Sequence, residues 1–266
     1  MIDSATLHLL TSKFLIGTLI FIRILGVFSA APFFKATAII PQVKIFLAAL
    51  IAIAVTSAFW EDQPVIEFHL WYVTLLVMKE FLLGLIIGFA AHAVFFAARF
   101  AGGVIDIEMG YQTAVLFDPS NTTPTLVGEF KDMIALMLFL VLNGHHHIIE
   151  AAYVSVRAVP LTTFAMTEAT AALLTKYAVT VFILAIKIAA PILVALFCTN
   201  LALALLARIA PQTNIFILSF QVKVAVGLIM LFISVPMVIY ILKWALGSVQ
   251  QITFEILMSM YPDRVM

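Results

Sequence analysis

The stretch AAPILVALFCTNLALALLARIAPQTNIF, residues 189–216, decides the fold because it shows where one long apolar helix ends and the next begins. Arg208 falls where the last helical turn would be, and a cation there suits the unpaired carbonyl groups. Pro211 cannot continue the helix, and Asn214 is a residue type that caps the next one. We therefore predict a long αα-hairpin over about 178–246. Its polar tip is suited to docking and consists of Arg208, Pro211, Gln212 and Asn214.

The rest of the chain repeats the pattern of apolar stretches at helical length. Of its 266 residues, 64% are hydrophobic and 11% are charged, which is typical of a membrane-embedded protein. The 14 basic and 14 acidic residues balance, so nothing indicates nucleic-acid binding. We predict an all-α integral membrane protein that is one folding unit, with about six long helices arranged as hairpins. They are expected at about 14–34, 43–60, 70–98, 133–155, 178–207 and 215–246, with an amphipathic piece at 248–260.

Several of these apolar stretches contain charges. A charged side chain that faces lipid costs several kcal/mol, so such residues are expected to face protein, a wet cavity or an interface. One face of a helix carries four residues spaced four apart, Glu80, Gly84, Gly88 and His92, and its two glycines permit close helix approach. This stripe is either a packing face or the wall of a water-filled path. The intramembrane polar residues of interest are Arg23, Lys79, Glu80 and Lys187.

A polar and glycine-rich segment, GGVIDIEMGYQTAVLFDPSN at residues 102–121, interrupts the apolar stretches. Its glycines and its Asp118-Pro119 pair predict irregular backbone rather than a continuous helix. In hydrocarbon, such backbone is tolerated only against protein or water. Its apolar content favours insertion into a cavity over an exposed loop, while Asp106 and Glu108 have no evident base or metal partner. The candidate residues are Gly102, Gly103, Ile105, Ile107, Met109, Gly110, Tyr111 and Phe117.

The motif NGHHHIIE, residues 143–150, is the strongest candidate for chemistry. His147 and Glu150 have the i, i+3 spacing at which two side chains of a helix can reach one metal ion. A metal site needs three or four ligands, however, and the other histidines are scattered along the chain. We therefore expect a polar helix start after Asn143-Gly144, with no metal and no cofactor. No nucleophile motif or phosphate-binding loop accompanies it, so no enzymatic activity is expected.

Taken in order, the quoted stretches, together with FIRILGVFSAAPFF around Arg23, resemble the FliR family of flagellar biosynthetic proteins, counterparts of a virulence type III secretion subunit. The resemblance runs from about residue 10 to about residue 250. The glycine-rich segment ending in Phe117-Asp118-Pro119 and the turn ARIAPQTNIF are its most specific parts. The chain departs from the family at His145–His147, where a single histidine is more usual.

The resemblance implies a non-enzymatic subunit of the flagellar type III export gate in the bacterial inner membrane, within the basal body. It also implies assembly with FliP-like and FliQ-like subunits into a channel for unfolded substrates, beside FlhA-like and FlhB-like proteins. About residues 1–177 would be the FliP-like part and about 178–246 the FliQ-like hairpin, in an assembly that contacts membrane lipid and rises out of the bilayer plane. The segment of about 102–121 would plug the closed pore.

A second class of function stays open on the residues alone. The chain would then be a polytopic solute transporter or ion channel. Its site would lie near the middle of the membrane and consist of Lys79, Glu80, Lys187 and Asn200.

Overall fold

The structure of the chain, a computed structural model, is all-α, as predicted. It describes residues 4–32, 40–59, 63–64, 66, 69–111, 125–212 and 214–261. Across these ranges the chain forms seven long helices and no strand. They are α1 (Ser4–Ala30), α2 (Pro41–Phe59), α3 (Leu70–Met109), α4 (Leu126–Val141), α5 (Gly144–Ala158), α6 (Glu168–Ile209) and α7 (Ile215–Ser259).

Helix α3 is longer than the sequence indicated. It was expected to end near residue 98 but continues to Met109, so the prediction of irregular backbone from Gly102 onward is wrong for residues 102–109. Each helical glycine costs up to about 1 kcal/mol relative to alanine. At Gly102 that cost is offset by a close helix contact, described below.

Two other helix bounds also differ from expectation. The apolar stretch 133–155 is two helices, because Asn143 adopts a left-handed conformation with φ of 55° between α4 and α5. The amphipathic piece at 248–260 is the continuation of α7, and α6 begins at Glu168 rather than at residue 178. The two helices of the predicted hairpin therefore have 42 and 45 residues.

Within the described residues, five helices are long and apolar enough to cross a membrane: α1 from Thr11, α2, α3, α6 and α7. With 16 and 15 residues, α4 and α5 are shorter than the usual span of about 20 residues. The five long helices suit a bilayer, because a helix pairs its backbone groups internally and lipid offers them no other partner. The chain is a multi-pass membrane protein.

The chain divides into two compact units. The first consists of Met1–His92, Asn143–Tyr177 and Gly247–Met266, and the second of Ala93–Leu142 and Ala178–Leu246. The range of the predicted FliQ-like hairpin thus falls in the second unit, which also contains α4 and the end of α3. The division into a FliP-like and a FliQ-like part stays a prediction.

In the first unit, α1 packs against α3 along the stripe of small residues. A Cβ atom at Gly84 would overlap the carbonyl oxygen of Arg23, and one at Gly88 would overlap that of Val27. From the opposite side, a Cβ atom at Gly26 would lie 2.6 Å from the carbonyl oxygen of Phe81. Only glycine allows the two backbones to approach this closely.

Candidate functional site

The buried carboxylate of Asp106 joins the two helices that flank the polar segment. Its oxygens accept hydrogen bonds from the Val127 N–H at 3.0 and 3.2 Å and from the Gly128 N–H at 3.4 Å. These are first-turn amides of α4, and Thr125 at the capping position makes no side-chain cap of its own. An acceptor with negative charge at this position satisfies free amides and suits the helix dipole. Asp106, which the sequence left without a partner, is the N-terminal cap of α4.

Glycines bring the same two helices into backbone contact. A Cβ atom at Gly102 would overlap the Cα and N atoms of Gly128. At the neighbouring Gly103 the nearest atom is the Thr125 Cγ2, at 3.3 Å. Arg99 and Asp132 add an ion pair between the helices, with 55% and 24% of their side chains exposed. A pair this exposed contributes little, so the glycine contact and the Asp106 cap determine the geometry.

The end of α3 is fixed by a buried methionine and a glycine. Met109 is fully buried, and a Cβ atom at Gly227 in α7 would lie 2.6 Å from its Sδ atom. Gly110 follows with φ of 86°, and its N–H donates to the Ile107 carbonyl at 3.0 Å. A left-handed residue after the last turn is a common helix end, and glycine adopts it without strain.

The proposed plug residues therefore fall into three groups. Ile105 and Met109 are buried within α3, and Ile107 is 52% exposed on its surface. Gly110 and Tyr111 lie at the end of the helix, and Phe117 is outside the described residues. Gly102 and Gly103 are helical residues of α3. The prediction that they lie in an irregular loop is therefore wrong.

We refer to residues 102–109 and 125–128 together as the loop base. Replacing Asp106 by alanine removes the cap of α4 and is expected to lower the free energy of unfolding by about 1–2 kcal/mol. Hydrogen exchange should become faster at the Val127 and Gly128 amides. The matched control is Glu108→Ala, because Glu108 is exposed two residues along the same helix. Equal exchange rates in the two variants would contradict the assigned cap.

A buried ion pair lies in the first unit. The Arg23 Nε donates to Glu80 Oε2 at 2.5 Å, and both side chains are fully buried. The Arg23 Nη1 donates to the carbonyl oxygens of Ser155 and Val159, each at 2.9 Å. Because α5 ends at Ala158, Arg23 also caps the C-terminus of that helix. The pair connects α1, α3 and α5 at one point.

This pairing affects the transporter alternative. The Glu80 carboxylate is held by Arg23, whereas the side chain of the adjacent Lys79 is exposed. In the second unit Lys187 is likewise exposed. Glu80 therefore forms an ion pair with Arg23 and not with Lys79.

The histidine motif lies at the start of α5, as the Asn143-Gly144 signal indicated. His147 Nδ1 is 3.6 Å from Glu150 Oε2, and the rings of His145 and His146 have centroids 4.2 Å apart. Among the described residues, no three His, Cys, Asp or Glu side chains are grouped as metal ligands.

The sequence analysis did not single out one buried cation, Lys131 in α4. Burial lowers the pKa of this lysine to about 8.

These features define a class of protein: a multi-pass α-helical membrane protein whose buried polar groups fix helix ends and the base of one long connection. The family described as bacterial export proteins, family 1, matches residues 14–249. The chain belongs to this family, and it is a membrane subunit of the type III export machinery.

The similar proteins include flagellar biosynthetic proteins and a translocation protein for Yop proteins. The chain is 31% identical over 220 residues to flagellar biosynthetic protein FliR of Escherichia coli, covering 82% of this chain and 83% of that protein. It is 31% identical over 229 residues to FliR of Bacillus subtilis, covering 85% and 88%. It is 32% identical over 177 residues to Yop proteins translocation protein T of Yersinia pestis, covering 65% and 67%.

Proposed function

We propose that this chain is a non-enzymatic subunit of the flagellar export gate in the bacterial inner membrane, at the flagellar basal body. In this proposal it assembles with FliP-like and FliQ-like subunits into a channel for unfolded proteins. FlhA-like and FlhB-like export proteins are its neighbours. The connection between α3 and α4, residues 110–125, plugs the channel when it is closed.

The loop base is the observation that carries the plug proposal. A plug has to leave the channel and return to it, so both of its ends need a fixed attachment. Asp106 and the Gly102–Gly128 contact hold the end of α3 beside the start of α4, and Met109 is seated on Gly227. The two ends of the connection are therefore held next to each other at the loop base. Its apolar side chains, Tyr111 and Phe117 among them, are of a kind that fills a channel.

The plug is tested by removing its apolar side chains while leaving the loop base intact. The variant carries glycine in place of Tyr111, Val115, Leu116 and Phe117. Produced with its companion subunits and reconstituted into liposomes, it should make them more permeable to small ions than the parent does. The physical reason is that glycine keeps the length of the connection but leaves the channel unfilled.

A second glycine variant of the same connection is the control. It replaces the polar residues Gln112, Thr113, Thr122 and Thr123 and keeps the apolar ones, so it should stay as impermeable as the parent. Unchanged ion flux in the apolar variant, with the protein present at the parental level, would count against the plug.

Co-purification in mild detergent distinguishes the gate from the transporter alternative. An export-gate subunit should be isolated with two further kinds of membrane chain. A transporter should be isolated alone or as copies of itself. Recovery of this chain without companions would overturn the proposed function.

A further inference from the structure

Helix α6 has two different faces within the second unit. One face is buried in the chain and consists of residues spaced four apart: Leu184, Ile188, Ile192 and Leu196. The other, which we call the exposed face of α6, has residues spaced alternately four and three apart: Ile183, Lys187, Ala190, Val194, Phe197 and Leu201. All of these are exposed except the half-buried Ala190. A mostly apolar row with this spacing is the pattern by which one helix packs along another.

Lys187 is the one charged residue of the exposed face of α6. Among the described residues, no carboxylate forms an ion pair with it. The next hydroxyl or amide side chains of α6 belong to Thr180, about two helical turns earlier, and Thr199, more than three turns later. A lysine moves its charge only over the length of its own stem. The ammonium group of Lys187 therefore lies among apolar side chains.

The same residue has an unpaired backbone group. Pro191 lies inside α6 and has no N–H. The carbonyl group of Lys187, four residues earlier, therefore lacks the donor that a regular helix would give it. Lys187 thus presents both a cation and a free acceptor. Both are costly in hydrocarbon, which offers neither of them a partner.

We propose that the exposed face of α6 packs against an apolar helix of a companion membrane subunit, and that this helix carries an Asp or Glu opposite Lys187. The inference rests on the proposed function, which supplies such companions. Charge complementarity favours this occupant over the others. Lipid would leave the Lys187 charge unpaired, and a water-filled path would leave Ile183, Val194 and Phe197 against water.

A second copy of the same hairpin does not fit Lys187 as well. Within helices α6 and α7 the acidic residues are Glu168 and Glu255, and both lie near a helix end. Neither belongs to the apolar part of the hairpin, where a carboxylate facing Lys187 would have to lie. The required carboxylate is therefore assigned to a different chain.

An ion pair in such a face determines how two helices align. One lysine in an apolar row specifies the register of the packed helices. Removing both charges from water offsets most of their attraction, so the pair contributes specificity more than net stability. Removing only one of the two charges is costly, because the other stays buried and unpaired.

The pair is tested by zero-length cross-linking of the whole complex, purified in mild detergent. A membrane-soluble carbodiimide joins a lysine amine to a carboxylate in direct contact, with loss of water. Mass spectrometry of the digested complex should find Lys187 joined to an Asp or Glu of a companion chain. Lys187→Arg should abolish this cross-link and keep the companion chains, because a guanidinium still pairs with a carboxylate.

Co-purification measures the contribution of the charge. Lys187→Leu should lower the recovery of the cross-linked companion about tenfold, although leucine suits the helix as well as lysine does. Lys243→Leu is the matched control and should keep the parental recovery. Lys243 is also an exposed lysine of the hairpin, but it lies within about two turns of the polar Ser248 and Gln250. Lys187→Glu combined with lysine in place of the cross-linked acid should restore recovery.

The results that would overturn the inference are distinct from those that would overturn the proposed function. Parental recovery of the companions by Lys187→Leu would overturn the inference and leave the proposed function in place. So would the absence of a Lys187 cross-link in the parent complex, or a cross-link to a second copy of this chain. Isolation of the parent chain without companions would overturn the proposed function, and the inference with it.

Discussion

Replacing Arg23 by leucine is expected to lower the melting temperature of the purified protein by about 10 °C, through a loss of about 3–5 kcal/mol of stability. The change leaves the fully buried Glu80 carboxylate without the guanidinium that donates to it at 2.5 Å. It also removes the donor to the Ser155 and Val159 carbonyl oxygens at the end of α5. The measurement is thermal unfolding in mild detergent, followed by tryptophan fluorescence.

The double variant Arg23→Leu with Glu80→Leu distinguishes the ion pair from simple loss of packing. It removes both charges, so it should be more stable than Arg23→Leu alone. Lys79→Leu is the matched control, because Lys79 is an exposed cation adjacent to Glu80, and it should melt close to the parent. If Arg23→Leu and Lys79→Leu had the same melting temperature, the buried pair would not hold α1, α3 and α5 in place.

Much of the fold could be predicted because long apolar stretches are a strong signal of membrane-length helices. A chain with 64% hydrophobic residues has to bury or embed its helices, and the turn at Arg208–Asn214 marks two of their ends. In the structure Arg208 lies in the last turn of α6, and the Asn214 side chain accepts from the Ile217 N–H at 3.4 Å. These are local interactions, so the residues that make them are neighbours in the sequence.

The interactions that fix the two units are not local. Arg23 and Glu80 are 57 residues apart, and Asp106 caps a helix that begins 20 residues later, so neither pairing has a sequence signature. The sequence indicated only that the Arg23 and Glu80 side chains face protein, a wet cavity or an interface rather than lipid. Asp106 resembled an unpartnered carboxylate of a loop, because the end of α3 was placed near residue 98 instead of at Met109.

That misplacement comes from the ambiguity of glycine. A glycine pair inside an apolar stretch indicates either a break in the helix or a site of close backbone approach, and the two cases have the same composition. The spacing of Gly84 and Gly88 matches one face of a helix, so the sequence predicts that both lie within a helix, on a packing face or along a water-filled path. Gly102 and Gly103 are adjacent, which gives no periodicity, so the contact of Gly102 with Gly128 emerged only from the structure.

Gly102→Ala is expected to destabilise the second unit by about 2–3 kcal/mol, although alanine is the better helix former by about 1 kcal/mol. The added methyl group would overlap the Gly128 backbone, which has no flexible side chain to move aside. α3 and α4 would have to separate, and the Asp106 carboxylate would move away from the Val127 N–H. Thermal unfolding and hydrogen exchange at Val127 measure the two consequences.

Gly103→Ala is the matched control, because it makes the same chemical change one residue along the same helix. Its Cβ atom would meet only the Thr125 Cγ2 at 3.3 Å, a side-chain atom that can shift by a few tenths of an ångström. Gly103→Ala should therefore be as stable as the parent or slightly more stable, through helix propensity. The sign of the stability difference between the two variants tells whether α3 and α4 cross at Gly102. If Gly102→Ala were the more stable of the two, the helices would not cross at Gly102, and the attachment of the 110–125 connection would rest on Asp106 and Met109 alone.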